Sequence, residues 1–425
     1  MNEDGVTRQA SIAAPRIASM RDGGAWRVEI GRKLWLSLHR YVGLVAGAVF
    51  VIIGLSGSIL AFRAEIDEWL NQELKTVSLP AEGRGSYRPL DEIIARSKAA
   101  APENGTAVFM HFPKSATGYF DVIYSATAAP GESGERHADR IYQVFVNPYD
   151  AAVIGQRLIV DPENRFSEPF TNIITHLHYT LLQGEIGETV VGFVGLFLFV
   201  SVASGVYLWW PRNGKWRQAF TIKRGASGER LVLDLHKATG VYVAVVVLVM
   251  AFSGVYIIFM PQVSALVGLF SSVSAHRIPD DMRSEPAAGR APIGAEAAVA
   301  IVDRLFPTGQ LMSLGLPHDP TGVYVVGKRA DDEVGRSEPA RRVAVDQFSG
   351  RILKIQDPHD YTAGERFLEW QYPLHTGEAF GDLGRAFICV FGLVPALLYT
   401  TGVARWLQKR RMRRANRIGA TAAGP

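Results

Sequence analysis

Four stretches of the chain are apolar almost without interruption: Leu34–Phe62, Val190–Trp210, Val232–Met260 and Arg385–Leu407. Each offers about 20 mostly apolar residues, enough at 1.5 Å of rise per residue to cross a hydrocarbon core of roughly 30 Å. In lipid such a stretch has to be helical, because no water is present to satisfy its backbone groups. Between the first and second stretches, and between the third and fourth, the pattern changes. Residues 88–100 and 291–306 carry the period of an amphipathic helix opened by a proline. "FPKSATGYFDVIY" (112–124) and "LPHDPTGVYVVGK" (316–328) predict a turn followed by an alternating strand. "YQVFVNPYDAAVIG" (142–155) and "RRVAVDQFSGRILK" (341–354) predict strand, turn, strand. Residues 126–140 and 280–290 are rich in turn formers and predict loops.

The fold class expected is therefore an integral membrane, α-helical protein with four transmembrane helices, at 34–62, 188–210, 232–260 and 385–407. Two α+β modules, 63–187 and 261–384, lie outside the membrane. Basic residues set the orientation. Arg8, Arg16, Arg21, Arg27, Arg32 and Lys33 mark segment 1–33 as a cytoplasmic tail. Arg212, Lys215, Arg217, Lys223, Arg224 and Arg230 do the same for loop 211–231, and Lys409, Arg410, Arg411, Arg413, Arg414 and Arg417 for tail 408–425. The net charge of +4 is thus explained by topology, and no nucleic-acid partner is expected. The lead-in to the first stretch is too long and charged for a cleaved signal, so that stretch is expected to stay as an anchor. One cysteine, Cys389, rules out a disulfide scaffold, and no Cys-x-x-Cys-His attaches haem covalently.

The chain says nearly the same thing twice. "LHRYVG" (38–43) matches "LHKATG" (235–240), and His39 and His236 are 197 positions apart (39 to 236). The same offset carries Ser56-Gly57 to Ser253-Gly254, His178 to His375, Ser204-Gly205 to Thr401-Gly402 and Trp209 to Trp406. Such spacing predicts a parallel repeat, its halves related by an axis along the membrane normal.

With "LHRYVGLVAG", "LHKATGVYV" and the strand turns "VNPYDA" (146–151) and "VDQFSG" (345–350), the chain resembles the PepSY-associated transmembrane family over roughly residues 30–410. Ala151 stands where the family usually has glycine. The resemblance implies PepSY-like modules in the periplasm, a multi-pass place in the bacterial inner membrane, and kinship with iron-regulated proteins and siderophore reductases that bind two b-type haems.

The four repeated histidines give that implication residues. His39 and His236 sit at the cytoplasmic ends of the first and third helices; His178 and His375 precede the second and fourth at the outer surface. A two-fold axis brings each pair face to face, and facing imidazoles are suitable axial ligands for the iron of two haem b groups. Taken singly, a histidine at a helix mouth also serves as an interfacial residue. Small residues one and two turns along, Gly43 and Gly47 after His39, Gly240 and Ala244 after His236, leave room for a flat macrocycle; they equally suit close helix packing. The Ser/Thr-Gly dipeptides offer further small residues at each level. Zinc is the rival metal, with Glu185 and Asp382 as extra ligands at the outer level. His176 is an alternative to His178. Trp209, Trp210 and Trp406 are expected to anchor the inner interface, and Tyr207 and Tyr256 to be core. His111, His137, His276, His318 and His359 are expected to be surface residues without partners.

The function expected is electron transfer across the bilayer from a cytoplasmic donor protein or quinol, and the resemblance points to a ferric siderophore or another ferric chelate as acceptor. No Gly-x-Gly-x-x-Gly follows a strand, so no nicotinamide or flavin site is expected within the chain. No catalytic side chain stands out. The competing readings are a non-enzymatic membrane protein whose modules bind or regulate a periplasmic partner, and a metal-transport accessory.

Overall fold

The computed structural model describes residues 22–80, 86–126, 139–212, 214–285, 287 and 289–422. Arg8, Arg16 and Arg21 of the basic tail, and residues 127–138 of the expected loop with His137, lie outside the described residues.

Among the described residues, four helices are long and apolar enough to cross a membrane. The first span lies in helix Asp22–Leu60, the second is Gly184–Trp209 and the third is Gly228–Ile258. The fourth is two helices, Gly381–Phe391 and Val394–Ala422, broken at Gly392 and Leu393. Pro395 explains the break, for its ring lacks an N–H and crowds the carbonyl four residues back, at Phe391. Val45, Phe193, Val245 and Val390 point outward from the four spans, an apolar girdle of the kind a bilayer covers. Glycines let the helices close in. A Cβ on Gly54 would lie 2.6 Å from the Gly392 carbonyl, and one on Gly195 would lie 2.6 Å from Val255 Cγ2. Without side chains there, the first span crosses the fourth, and the second the third, almost backbone to backbone.

The strands are β1 (Gly105–His111), β2 (Phe120–Ala126), β3 (Arg140–Val146), β4 (Val153–Val160), β5 (Gln310–Gly315), β6 (Val323–Arg329), β7 (Arg342–Asp346) and β8 (Ile352–Gln356). The sequence predicted a sheet in each module. Instead all eight strands form one antiparallel sheet, in the order β4-β3-β2-β1-β5-β6-β7-β8. The seam is short, with Phe109 opposite Gly315, Met110 opposite Leu314 and His111 opposite Ser313. Left alone, β1 and β5 would each be an edge with unpaired N–H and C=O groups; along the seam each satisfies the other, and β4 and β8 are the outer edges.

Helices Leu90–Ser97 and Ala295–Leu305 cover one face of the sheet. Ile93, Ala298 and Val302 interleave there with Met110, Val122, Leu314 and Val326, all buried. Each helix caps the other. Asp91 Oδ1 accepts from the Ala295 N–H at 2.8 Å, and Glu296 Oε2 accepts from the Leu90 N–H at 2.8 Å. The opposite face carries a charged cluster that reaches the first span through helix Arg63–Leu70. There the Arg157 guanidinium grips the Asp67 carboxylate with both terminal nitrogens, at 2.9 and 2.8 Å, and Lys75 joins them.

The turns that join β3 to β4 and β7 to β8 match in backbone. Ala151 adopts φ 58°, close to the 69° of Gly350, so the alanine takes the left-handed conformation that glycine adopts without strain.

Candidate functional site

The histidines meet in two pairs at opposite ends of the bundle. His39 from the first span and His236 from the third have ring centres 6.2 Å apart and planes at 74°. His178, on helix Phe170–Thr180, and His375, on helix Gln371–Thr376, have ring centres 6.1 Å apart and planes at 68°. The first pair lies toward the chain termini (the tail level), the second beside the sheet (the sheet level). Two imidazoles bound end-on to opposite sides of one metal ion, with bonds of about 2.0–2.1 Å, hold their ring centres roughly 6 Å apart.

A neighbouring helix holds each ring by Nδ1. At the tail level, His39 Nδ1 lies 3.0 Å from the Ser201 carbonyl and 3.1 Å from Ser204 Oγ. His236 Nδ1 lies 3.1 Å from the Leu398 carbonyl and 3.0 Å from Thr401 Oγ1. At the sheet level, His178 Nδ1 lies 2.9 Å from the Ile53 carbonyl and 3.2 Å from Ser56 Oγ. His375 Nδ1 lies 2.9 Å from Ser253 Oγ, with the Met250 carbonyl as its backbone partner.

The four hydroxyls fix the tautomer. Each donates its own proton to a carbonyl of its helix: Ser56 to Ile52, Ser204 to Ser201, Ser253 to Val249 and Thr401 to Leu397, at 2.7–2.9 Å. Their oxygens, like the carbonyls beside them, therefore accept from Nδ1–H. The lone pair of each imidazole is then on Nε2, the nitrogen free to ligate a metal. Burial pushes both sheet-level histidines below the ordinary value, His375 to about 3 with the nearby His178 adding to the effect. Both are neutral at neutral pH, as a ligand must be.

The glycine of each dipeptide serves the ring. The sequence assigned these small residues to making room for a macrocycle; the structure puts them against the imidazoles. A Cβ at Gly57 would lie 3.0 Å from His178 Cε1, and one at Gly205 would lie 3.1 Å from His39 Cε1. At Gly254 and Gly402 the distances to His375 and His236 are 3.3 and 3.4 Å. Open space of the expected kind lies one turn past the tail-level histidines. A Cβ on Gly43 would meet nothing within 4 Å, and one on Gly240 would meet only Leu398 Cδ2 at 3.9 Å. At Gly47 the expectation fails, because the Tyr399 ring is 3.2 Å from where a Cβ would be.

Two neutral imidazoles with Nε2 unengaged at each level, and open space beside the tail-level pair, form a donor set that would suit a metal taking its other ligands from a cofactor. They do not fit zinc, since no three His, Cys, Asp or Glu side chains converge among the described residues. Asp382, one of the extra ligands considered, pairs with Arg385 at 3.3 Å. His176 does not replace His178. Its Nε2 lies 3.0 Å from Glu168 Oε2, and its ring packs on Tyr179.

The remaining candidates find other places. Trp209 joins Trp210, Trp216 and Phe220 in one aromatic cluster and donates from Nε1 to the Ala219 carbonyl at 3.0 Å. Trp406 lies beneath the Arg410 guanidinium. Tyr256 is buried, whereas Tyr207 is exposed and meets Trp35 at a tilt, with ring centres 5.9 Å apart. The other described histidines were expected to be solitary, and they are not. His111 faces Asp121 at 3.3 Å, His276 faces Glu365 at 2.9 Å, His318 faces Asp319 at 3.7 Å, and His359 lies between Asp332 and Asp357 at 2.9 Å from each.

Sequence reasoning missed the hydroxyls of Ser56, Ser204, Ser253 and Thr401 as the groups that orient the imidazoles. Their signal was present, as a hydroxyl residue before glycine at the depth of each histidine. Comparison with known protein families matches residues 36–409 to the PepSY-associated TM region. No curated protein matches the chain.

Proposed function

The chain belongs to the PepSY-associated transmembrane family, and from that premise we propose that it is a di-haem b electron-transfer protein of the bacterial inner membrane. It takes electrons from a cytoplasmic donor protein or quinol at the tail level and reduces a ferric siderophore or other ferric chelate at the sheet level. In this reading both termini are cytoplasmic, the sheet is periplasmic, and the matching contacts of the two halves are those of an internal duplication.

The observation that carries the reading is the pairing of four histidines at two depths, each pair with ring centres about 6 Å apart and each ring held by Nδ1. His39 and His236 hold one group, His178 and His375 the other. When bound, haem supplies one-electron chemistry between the ferric and ferrous states. The protein's part is to fix the ligands. The Ser and Thr hydroxyls hold each imidazole in the ligating tautomer, and the glycines beside them set its position. The His178 ring is held at Ser56-Gly57, so the two levels are separated along the first span by roughly 27 Å of helix, close to the hydrocarbon thickness. Reduction of a chelated ferric ion at the outer face weakens hard-oxygen chelation and releases the metal.

The absorption spectrum of the purified protein tests this. Two low-spin b-type haems per chain, oxidised by ferric chelates, are expected. A protein that stays colourless after haem feeding overturns the reading in favour of a partner-binding role, and metal bound without haem favours a transport accessory.

A further inference from the structure

We propose that Arg40 and Arg277 bind the propionate carboxylates of the two haems, Arg40 at the tail level and Arg277 at the sheet level. The inference rests on the di-haem reading above and adds the residues that anchor the charged edge of each macrocycle.

Five buried side-chain nitrogen or oxygen atoms have no hydrogen-bond partner among the described residues: Arg40 Nε, Arg277 Nε, His111 Nδ1, Asp121 Oδ1 and Glu168 Oε2. Three of them belong to residues in close ion pairs. His111 faces Asp121, and Glu168 faces His176. The two guanidinium nitrogens differ, since no ion pair to either arginine is found among the described residues. Among the described residues Arg40 donates to Ser37 Oγ, at 3.3 Å, and lies over the Tyr41 ring. Arg277 approaches the Tyr256 hydroxyl and feels Glu369 and Tyr361 at longer range. A buried guanidinium donor left unpaired is costly, and a planar carboxylate is the group that satisfies its fork.

Their positions match the two levels. Arg40 directly follows His39. Tyr256, against which Arg277 lies, is one helical turn beyond Ser253, the residue that holds His375. The second half also carries a cation directly after its tail-level histidine, Lys237. Its ammonium is already engaged, donating to the Gln218 carbonyl at 3.0 Å and facing Asp234 at 3.4 Å. Of that related couple, Arg40 is the one with a buried donor, Nε, that lacks a partner among the described residues. Haem b carries carboxylates along one edge, so each group needs such a partner wherever that edge is withdrawn from water.

The test uses full-length protein with one haem level removed at a time. In His178→Ala protein, which keeps the tail-level haem, Arg40→Gln is expected to speed haem loss to a scavenger apoprotein on the order of tenfold. It also lowers the midpoint potential, because losing a nearby positive charge favours the ferric state. Arg277→Gln has no effect there. In His39→Ala protein the pattern reverses. Arg40→Lys and Arg277→Lys restore most of the potential, since they keep the charge. A general folding defect would instead weaken both levels equally, and that outcome overturns the assignment. Unchanged loss rates and potentials overturn it as well, including the case in which Arg40→Gln strips only a bound anionic lipid. If wild-type protein carries no haem, the di-haem reading fails and this one with it; if haem is present and the variants behave as wild type, only this one fails.

Discussion

Ser253 Oγ lies 2.9 Å from His375 Nδ1 and donates its own proton to the Val249 carbonyl, so it accepts from the imidazole. Such an acceptor raises the electron density of the ligating ring. Ser253→Ala is expected to weaken haem retention at the sheet level by roughly 10-fold and to raise that haem's potential, with the tail level unchanged. Thr401→Val should do the same at the tail level. Redox titration of the two haem bands reads both effects.

Gly57 and Gly205 hold the imidazoles of His178 and His39 by having no side chain. With a Cβ at 3.0 or 3.1 Å from Cε1, even alanine presses on the ring. Gly57→Val is expected to remove the sheet-level haem and leave the other, and Gly205→Val the reverse. Haem-to-protein stoichiometry of the purified variants checks this; loss of both haems from each variant would mean that the glycines serve the bundle and not the ligand.

The crossing of the first and fourth spans depends on Gly54 and Gly392. A Cβ on Gly54 meets the Gly392 carbonyl at 2.6 Å and Pro395 Cγ at 2.7 Å, and neither can yield without moving a helix. Gly54→Ala is therefore expected to cost about 1–3 kcal/mol, the usual penalty of overpacking. The thermal midpoint of detergent-solubilised protein should fall, whereas Gly31→Ala, at a helical position away from the histidines where the added methyl meets nothing, should not lower it.

Asp67 joins the sheet to the end of the first span. Burial opposes its ionisation, but hydrogen bonds and charge from Arg157 and Lys75 prevail and hold its carboxyl down to about 2. Burial pulls Lys75 below its ordinary range, so the bidentate Arg157 is the firmer partner. A carboxyl held below its unfolded value stabilises the fold fully above pH ~4 and loses that effect as the pH falls through about 2. Asp67→Asn is thus expected to cost about 2 kcal/mol at neutral pH and to flatten the loss of stability between pH 4 and 2. Melting curves of both proteins across that range read the difference.

Much of this architecture was legible along the chain because it is local. Spans, amphipathic helices and strands follow from periodicity, and a constant offset singled out the four histidines. What escaped was set by distant contacts. Pairing of Met110 with Leu314 joins residues some 200 positions apart, and no local pattern distinguishes a strand that ends a sheet from one that continues it. The Ser/Thr-Gly dipeptides were visible, but their use was not. A small residue at a ligand's depth suits a macrocycle and an imidazole equally well, and only the side-chain directions separate the two. Ala151 shows the opposite limit, where tertiary packing imposes a left-handed backbone on a residue that disfavours it.

The seam between β1 and β5 bears on how the chain can be divided. Severed between the second and third spans, each half would keep one imidazole at either depth, with nothing opposite it, and a four-stranded sheet ending on a bare strand. Either fragment would then need a mate, its twin or its complement, to close the sheet and to complete a ligand pair. In the di-haem reading, that association would become the condition for holding iron at all.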